Sequence, residues 1–215
     1  MDIMMALHNN WANMILNGSK PLEFRNSIGK DFEIGNRVYI YETSKYGGRK
    51  KVVGEFKIKD IVKIPKAKCG TYFFLEYFCK NIKKDDEALK AVRKIYSINL
   101  EHYDNSLKLS YIFLPEIVEA INKDDSAPDI LNMSREEFNR FNTLQDKSIA
   151  LTKECDNWLS SIGFYDEYGE SYYNYYIEIK DTVAYDTPLD LSNFEGADGK
   201  IISTPPQGFR YCKKI

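Results

Sequence analysis

The sequence predicts a mixed α+β fold carrying a large helical insertion, and three observations predict it. Residues 1–63 are a series of short strand-like apolar runs broken by one short helical stripe. Residues 170–215 return to strand-like alternation. Between them, residues 67–169 place apolar side chains at helical spacing in an acidic background. A chain of 215 residues fits one domain with an insertion, and buries roughly 70% of the surface its unfolded form exposes.

Taken in order, residues 3–7 (Ile3 to Leu7) read as a strand. His8 or Asn9 then caps a helix whose stripe is Trp11, Met14 and Ile15, and Gly18 ends it where a left-handed residue is wanted. Residues 21–26 and 37–42 read as strands, separated by a polar loop. A second loop from Thr43 to Lys51 contains Gly47-Gly48, and residues 52–63 alternate apolar and charged with a bulge expected at Gly54. After Pro65 the pattern turns helical at residues 72–78, 85–96 (capped by Asp85 or Asp86) and 107–121, the last broken by Pro115. Ser134-Arg135-Glu136-Glu137 reads as a capping box for a long helix to Ser161, with Phe138, Phe141, Leu144, Ile149, Leu151 and Trp158 near its buried side. Residues 172–180 read as a strand, followed by loop, a turn at Pro188, and a terminal strand near 208–213.

Composition narrows the class. Hydrophobic residues make up 43% and charged residues 29%, ordinary values for a soluble protein, but the sixteen Tyr are many. The start lacks the basic and apolar regions of a secretion signal, and no window reaches the ~18 apolar residues of a membrane span. A cytoplasmic protein with no membrane association is expected. The cysteines (Cys69, Cys79, Cys155, Cys212) form no close pair and read as free thiols. With His8 and His102 they offer no metal-ligand spacing, so no metal and no cofactor are expected. The net charge of −2 conceals a division: residues 1–68 hold 13 Lys and Arg against 7 Asp and Glu, whereas residues 69–169 are acidic. A basic segment in an otherwise acidic chain is what an anionic partner or a solvated strand face would require.

The densest chemistry lies in Gly18-Ser19-Lys20-Pro21-Leu22-Glu23-Phe24-Arg25. Glu23 and Arg25 are two apart, so on a strand they share a face, opposite Leu22 and Phe24. A carboxylate, a guanidinium and an ammonium this close can hold a phosphate or polarise a ligand; the plainer alternative is a salt-bridge cluster at the strand's start.

The motif and its neighbours resemble the ASCH family of the PUA-like fold. The resemblance rests on the Gly18–Arg25 segment, on Ile34-Gly35-Asn36-Arg37-Val38-Tyr39-Ile40-Tyr41-Glu42, on Val52-Val53-Gly54-Glu55-Phe56, and on Pro205-Pro206-Gln207 near the end. It implies an α+β fold, a PUA-like mixed β-barrel from residues 1–66 and 170–215, with residues 67–169 as a mainly helical insertion packed on it. It also implies a cleft for nucleic-acid-related ligands at Lys20, Glu23 and Arg25. Arg25 would be a fork for phosphate or a base edge, Lys20 a second positive charge, and Glu23 an orienting acceptor or general base. Acetylcytidine amidohydrolases of the wider family use a Lys and a Thr, and Lys20 matches that Lys. The Thr position carries Glu23, so the hydroxyl nucleophile of that reaction is missing. Other members are reported ribonucleases.

Tyr41, Ser44, Lys45 and Tyr46 follow the second cleft strand. Tyr41 or Tyr46 would stack on a base while Ser44 and Lys45 hold a phosphate; alternatively Tyr41 packs and the rest is solvated loop. The primary expectation is therefore binding of RNA or a nucleotide-like ligand through Lys20, Glu23, Arg25, Tyr41, Ser44, Lys45 and Tyr46. Two alternatives accompany it. One is a ribonuclease or modified-nucleoside hydrolase with Lys20 and Glu23 catalytic. The other is a protein-interaction module whose partner docks on residues 67–169.

Overall fold

The computed structural model describes residues 1–64, 70–85, 87–88, 134–165 and 171–215. They fall in two compact units, Met1–Ala67 with Ile162–Ile215, and Lys68–Ser161.

The first unit is built on a seven-stranded mixed sheet. Its elements are β1 (Asp2–Leu7), α1 (Asn9–Leu16), β2 (Leu22–Arg25), β3 (Arg37–Glu42), β4 (Val52–Lys63), β5 (Tyr175–Leu189), β6 (Phe194–Gly196) and β7 (Phe209–Lys214). The strand order is β2-β5-β4-β3-β1-β7-β6, with β1 and β3 parallel and the other neighbours antiparallel. The closure into a barrel implied by the resemblance is not among the described pairings, which run from β2 at one edge to β6 at the other.

Side-chain alternation sorts the core into two layers. Ile3, Met5 and Leu7 of β1, Val38 and Ile40 of β3, and Phe56 and Ile58 of β4 join Ala12 and Ile15 of α1 in one cluster. The intervening Met4, Tyr39, Tyr41 and Val52 join Phe194, Ile202 and Cys212 in a second. With both faces of its middle strands covered, the sheet needs the nearly unbroken apolar runs seen in β1 and β3. Helix α1 ends at Gly18, whose φ of +80° needs no side chain to be accommodated.

Two expectations at the C-terminal end are corrected. The strand expected over 172–180 runs from Tyr175 to Leu189, through the expected turn at Pro188. The long β4 supplies the partner for this length. Register shifts at Val52/Gly54 and Glu55/Lys57 absorb surplus residues of β5, where Asp181 takes φ 50°, and the shift at Ile58/Asp60 places one extra residue on β4. Pro188 lies at the strand's end, where the missing N–H interrupts little. The second correction is β6, a three-residue strand within the stretch expected to be loop. It is anchored by fully buried Phe194, and its return is closed by Gly196 N–H to Lys200 O at 2.8 Å and Ile202 N–H to Phe194 O at 2.9 Å.

The second unit contains α2 (Gly70–Tyr77), a π-helical turn (Phe78–Lys83) and α3 (Arg135–Ser161). Phe74, Leu75, Phe78, Cys79, Cys155 and Leu159 are its buried apolar residues among those described. The Trp158 ring stacks on Tyr77 at 5.9 Å, Thr71 hydrogen-bonds Asp156, and Lys83 pairs with Glu154 at 2.7 Å. Asp85 Oδ1 accepts the N–H of Ala88 at 3.0 Å, the cap expected there. The helix expected beyond it, the one at 107–121, His102, Cys69 and the side chains of Phe138, Phe141 and Leu144 lie outside what is described. Of the described residues, no helix is long and apolar enough to cross a membrane, and no group of His, Cys, Asp and Glu is arranged to hold a metal.

Candidate functional site

Lys20, Glu23 and Arg25 are brought together. The tight turn at Gly18 carries the chain out of α1, with Lys20 N–H bonded to Met14 O at 2.9 Å, and β2 pairs with β5 from Leu22↔Glu178 to Arg25↔Tyr175. Glu23 opposes Ile177, a member of the first core cluster, so Glu23 and Arg25 lie on the core-facing side of β2. Glu23 Oε1 is 3.0 Å from Arg25 Nη2, and Oε2 is 3.8 Å from Lys20 Nζ.

The cluster is more enclosed than a surface salt bridge. Lys20 is 3% exposed and Glu23 6%. The Lys20 ammonium donates to Ile162 O and lies 5.0 Å from the Trp11 ring centre and 4.8 Å from that of Phe24. Aromatic faces offset part of its lost hydration, and the carboxylate offsets more. Burial nonetheless lowers the Lys20 pKa, the Glu23 charge raises it, and the neighbouring Arg25 charge lowers it further. Arg25 is different. Its Nε and Nη2 are shielded from solvent and make no hydrogen bond among the described residues, a rare state for guanidinium donors.

A second grouping forms at the 43–51 loop. Glu42, fully buried at the end of β3, accepts Arg49 Nε at 2.5 Å and the Arg49 backbone N–H at 3.2 Å, while its Oε1 has no hydrogen-bond partner among the described residues. The carboxylate thus ties the far side of the loop to the sheet. Gly48 passes so close to Thr43 O that a Cβ there would lie 1.7 Å from it. Within this bend Tyr46 takes φ 57°, Gly47 φ 79° and Lys50 φ 58°. A left-handed Tyr is strained, and here the ring is 70% exposed. Lys45 Nζ sits 5.1 Å from its centre, and the His8 ring meets it edge-on at 5.5 Å. Nδ1 of His8 is 3.0 Å from Thr43 Oγ1, and burial first, then the Lys45 charge, lowers the His8 pKa. Ser44 precedes this turn, exposed and without a side-chain cap bond.

Tyr41 belongs to neither grouping. It alternates with Ile40 and Glu42 into the second core cluster, 4% exposed, and burial raises its pKa. A ring so enclosed matches the packed alternative for Tyr41, whereas Tyr46 is exposed. Sequence reasoning missed Glu42, although a charge in phase with Val38 and Ile40 on a core-facing strand was a visible signal. The aromatic box around Lys20 and the His8–Thr43 contact had none, because their partners are distant in sequence.

Cys79, Cys155 and Cys212 are free and buried. Burial pushes Cys79 up to about 11, Cys212 up to about 12 and Cys155 further, so none is a ready thiolate.

No protein-family profile and no curated protein matches this chain. Among solved structures it is similar to the ASCH protein of Zymomonas mobilis, with 12% identity and a TM-score of 0.41, over 99% of this chain and 88% of that one. Two single-substitution mutants of the same protein align with 12% and 13% identity, each at a TM-score of 0.41, over 91% and 89% of their chains.

Proposed function

We propose that the protein binds single-stranded RNA, or a nucleotide derived from it, through the 43–51 loop and the Lys20–Glu23–Arg25 cluster. The observation that carries this reading is Tyr46: an exposed ring held in a strained backbone conformation by a loop tied to a buried carboxylate. Strain of about 1–2 kcal/mol at a non-glycine left-handed residue is retained where the exposed side chain has a use. A ring beside Lys45, with Lys50 next in the loop, offers a base a stacking surface and its phosphates a positive field, while Arg49 and Lys51 are paired with Glu42 and Asp190. A duplex hides the faces of its bases, so single strands are the fitting ligand.

Incubation with a pool of short single-stranded RNAs, in EDTA and in magnesium, tests this by filter retention and by gel. Retention at low salt that weakens in Tyr46→Ala supports the reading, and unchanged retention in that variant refutes it. A hydrolytic reading draws on the lowered Lys20 pKa beside Glu23. RNA shortened by the wild type and left intact by Glu23→Gln would put hydrolysis ahead of binding. The enclosure of Lys20, already bonded to Ile162 O, favours an orienting role over a reacting one.

A further inference from the structure

The guanidinium edge of Arg25 points to what the ligand presents. Nε and Nη2 form one edge of a guanidinium, a fork matched by two adjacent acceptors. Among the described residues Nε makes no hydrogen bond, and Nη2, ion-paired with Glu23 Oε1 at 3.0 Å, carries a second N–H on the Nε side. The same carboxylate decides what the fork prefers. It balances one of the two positive charges around it, Lys20 at 3.8 Å and Arg25 at 3.0 Å, and would repel an incoming anion at close range. A neutral pair of acceptors avoids that repulsion and needs less dehydration than a phosphate to reach buried donors.

Strand register supplies the neighbours. Arg25 opposes Tyr175 on β5, and Tyr175 opposes Lys63 on β4. Directly opposed residues share a sheet face, so fork, phenol ring and ammonium form one row across three strands, a step beyond the Glu23–Ile177–Ile61 row that closes the core. Tyr175 is partly exposed and Lys63 exposed.

We propose that Arg25, with Tyr175 beside it, reads the O6/N7 edge of a guanine base in single-stranded RNA. Guanine is the base whose Hoogsteen edge carries two adjacent acceptors, and adenine puts a donor in the place of one of them. The ring of Tyr175 gives the base a stacking face and Lys63 takes the adjoining phosphate. This inference rests on the single-strand RNA reading given above.

The test is fluorescence anisotropy of the full chain with three labelled RNA heptamers: all uridine, one central guanine in uridine, and one central 7-deazaguanine. A single guanine is expected to tighten binding about tenfold, and 7-deazaguanine, which lacks N7 but leaves the protein untouched, to remove most of that gain. In Arg25→Lys the guanine heptamer is expected to bind no better than the all-uridine one, because an ammonium cannot form the fork. Equal affinity of the wild type for all three RNAs overturns the guanine proposal and leaves RNA binding standing. So does a guanine preference that persists in Arg25→Lys, or one abolished by competing inorganic phosphate. No binding to any heptamer overturns both readings.

Discussion

The Lys20–Glu23–Arg25 cluster and the 43–51 loop are both charge-rich, but they solve opposite problems. In the cluster, charges are buried and Glu23 balances one of two cations, with Lys20 boxed by Trp11 and Phe24 and Arg25 Nε making no hydrogen bond among the described residues. In the loop, one buried carboxylate on Glu42 holds the backbone so that everything else faces outward, Tyr46 most of all. The cluster is therefore a place where substitution costs stability first and ligand second. The loop should show the reverse order.

The largest effect tests the buried half. Glu23→Gln leaves an ammonium and a guanidinium without their counter-charge and is expected to destabilise the fold by about 3–5 kcal/mol, read from urea denaturation midpoints. Adding Lys20→Met to it should recover much of that loss. If the double variant is as unstable as Glu23→Gln alone, the cluster is not the coupled unit described.

Next in size, Glu42→Ala removes the acceptor that ties Arg49 to the sheet. A loss of about 1–3 kcal/mol is expected, with weaker RNA retention because the loop no longer holds Tyr46 in place. Tyr46→Gly sharpens the contrast further. Glycine relieves the left-handed strain, so stability should stay level or rise by up to ~1 kcal/mol while RNA retention falls. A clear loss of stability in that variant would mean the ring is a packing element.

The smallest expected effect is a pH dependence. The lowered folded-state pKa of Lys20 means that, between that value and the ordinary 10.5, the unfolded chain binds more protons than the folded one. The Lys20 contribution to stability therefore increases as pH rises through that window. Tyr39 and Tyr176, pushed up to about 12, act oppositely only once pH passes the ordinary tyrosine value of 10.0. Cys79 and Cys212 act in that same opposing sense from the ordinary thiol value of 9.0, equally in both proteins, so the urea midpoint of the wild type should gain on that of Lys20→Met as pH rises, and identical slopes would contradict a desolvated ammonium.

What could be read in the sequence was mostly local. Glu23 and Arg25 are neighbours by strand periodicity, and Gly18 marks its turn by chemistry, so the cluster was visible within six residues. The mixed strand-and-helix pattern of the first 63 residues was legible for the same reason. Packing of Tyr41, one of the two readings its sequence leaves open, follows from its phase with Tyr39, which puts it in the second core cluster. The continuation of β5 through Pro188 depends on the length of β4, and the Arg25–Tyr175–Lys63 row depends on pairing across strands far apart in the chain. Tertiary register decides both, and no local pattern encodes it.

The most direct test of the account is the affinity of one labelled single-stranded RNA for the wild type and Tyr46→Ala, with denaturation of both proteins alongside. Loss of a stacked base is expected to weaken binding about tenfold or more at unchanged stability. Equal affinity in the two proteins would contradict the claim that the strained loop exists to present Tyr46 to RNA.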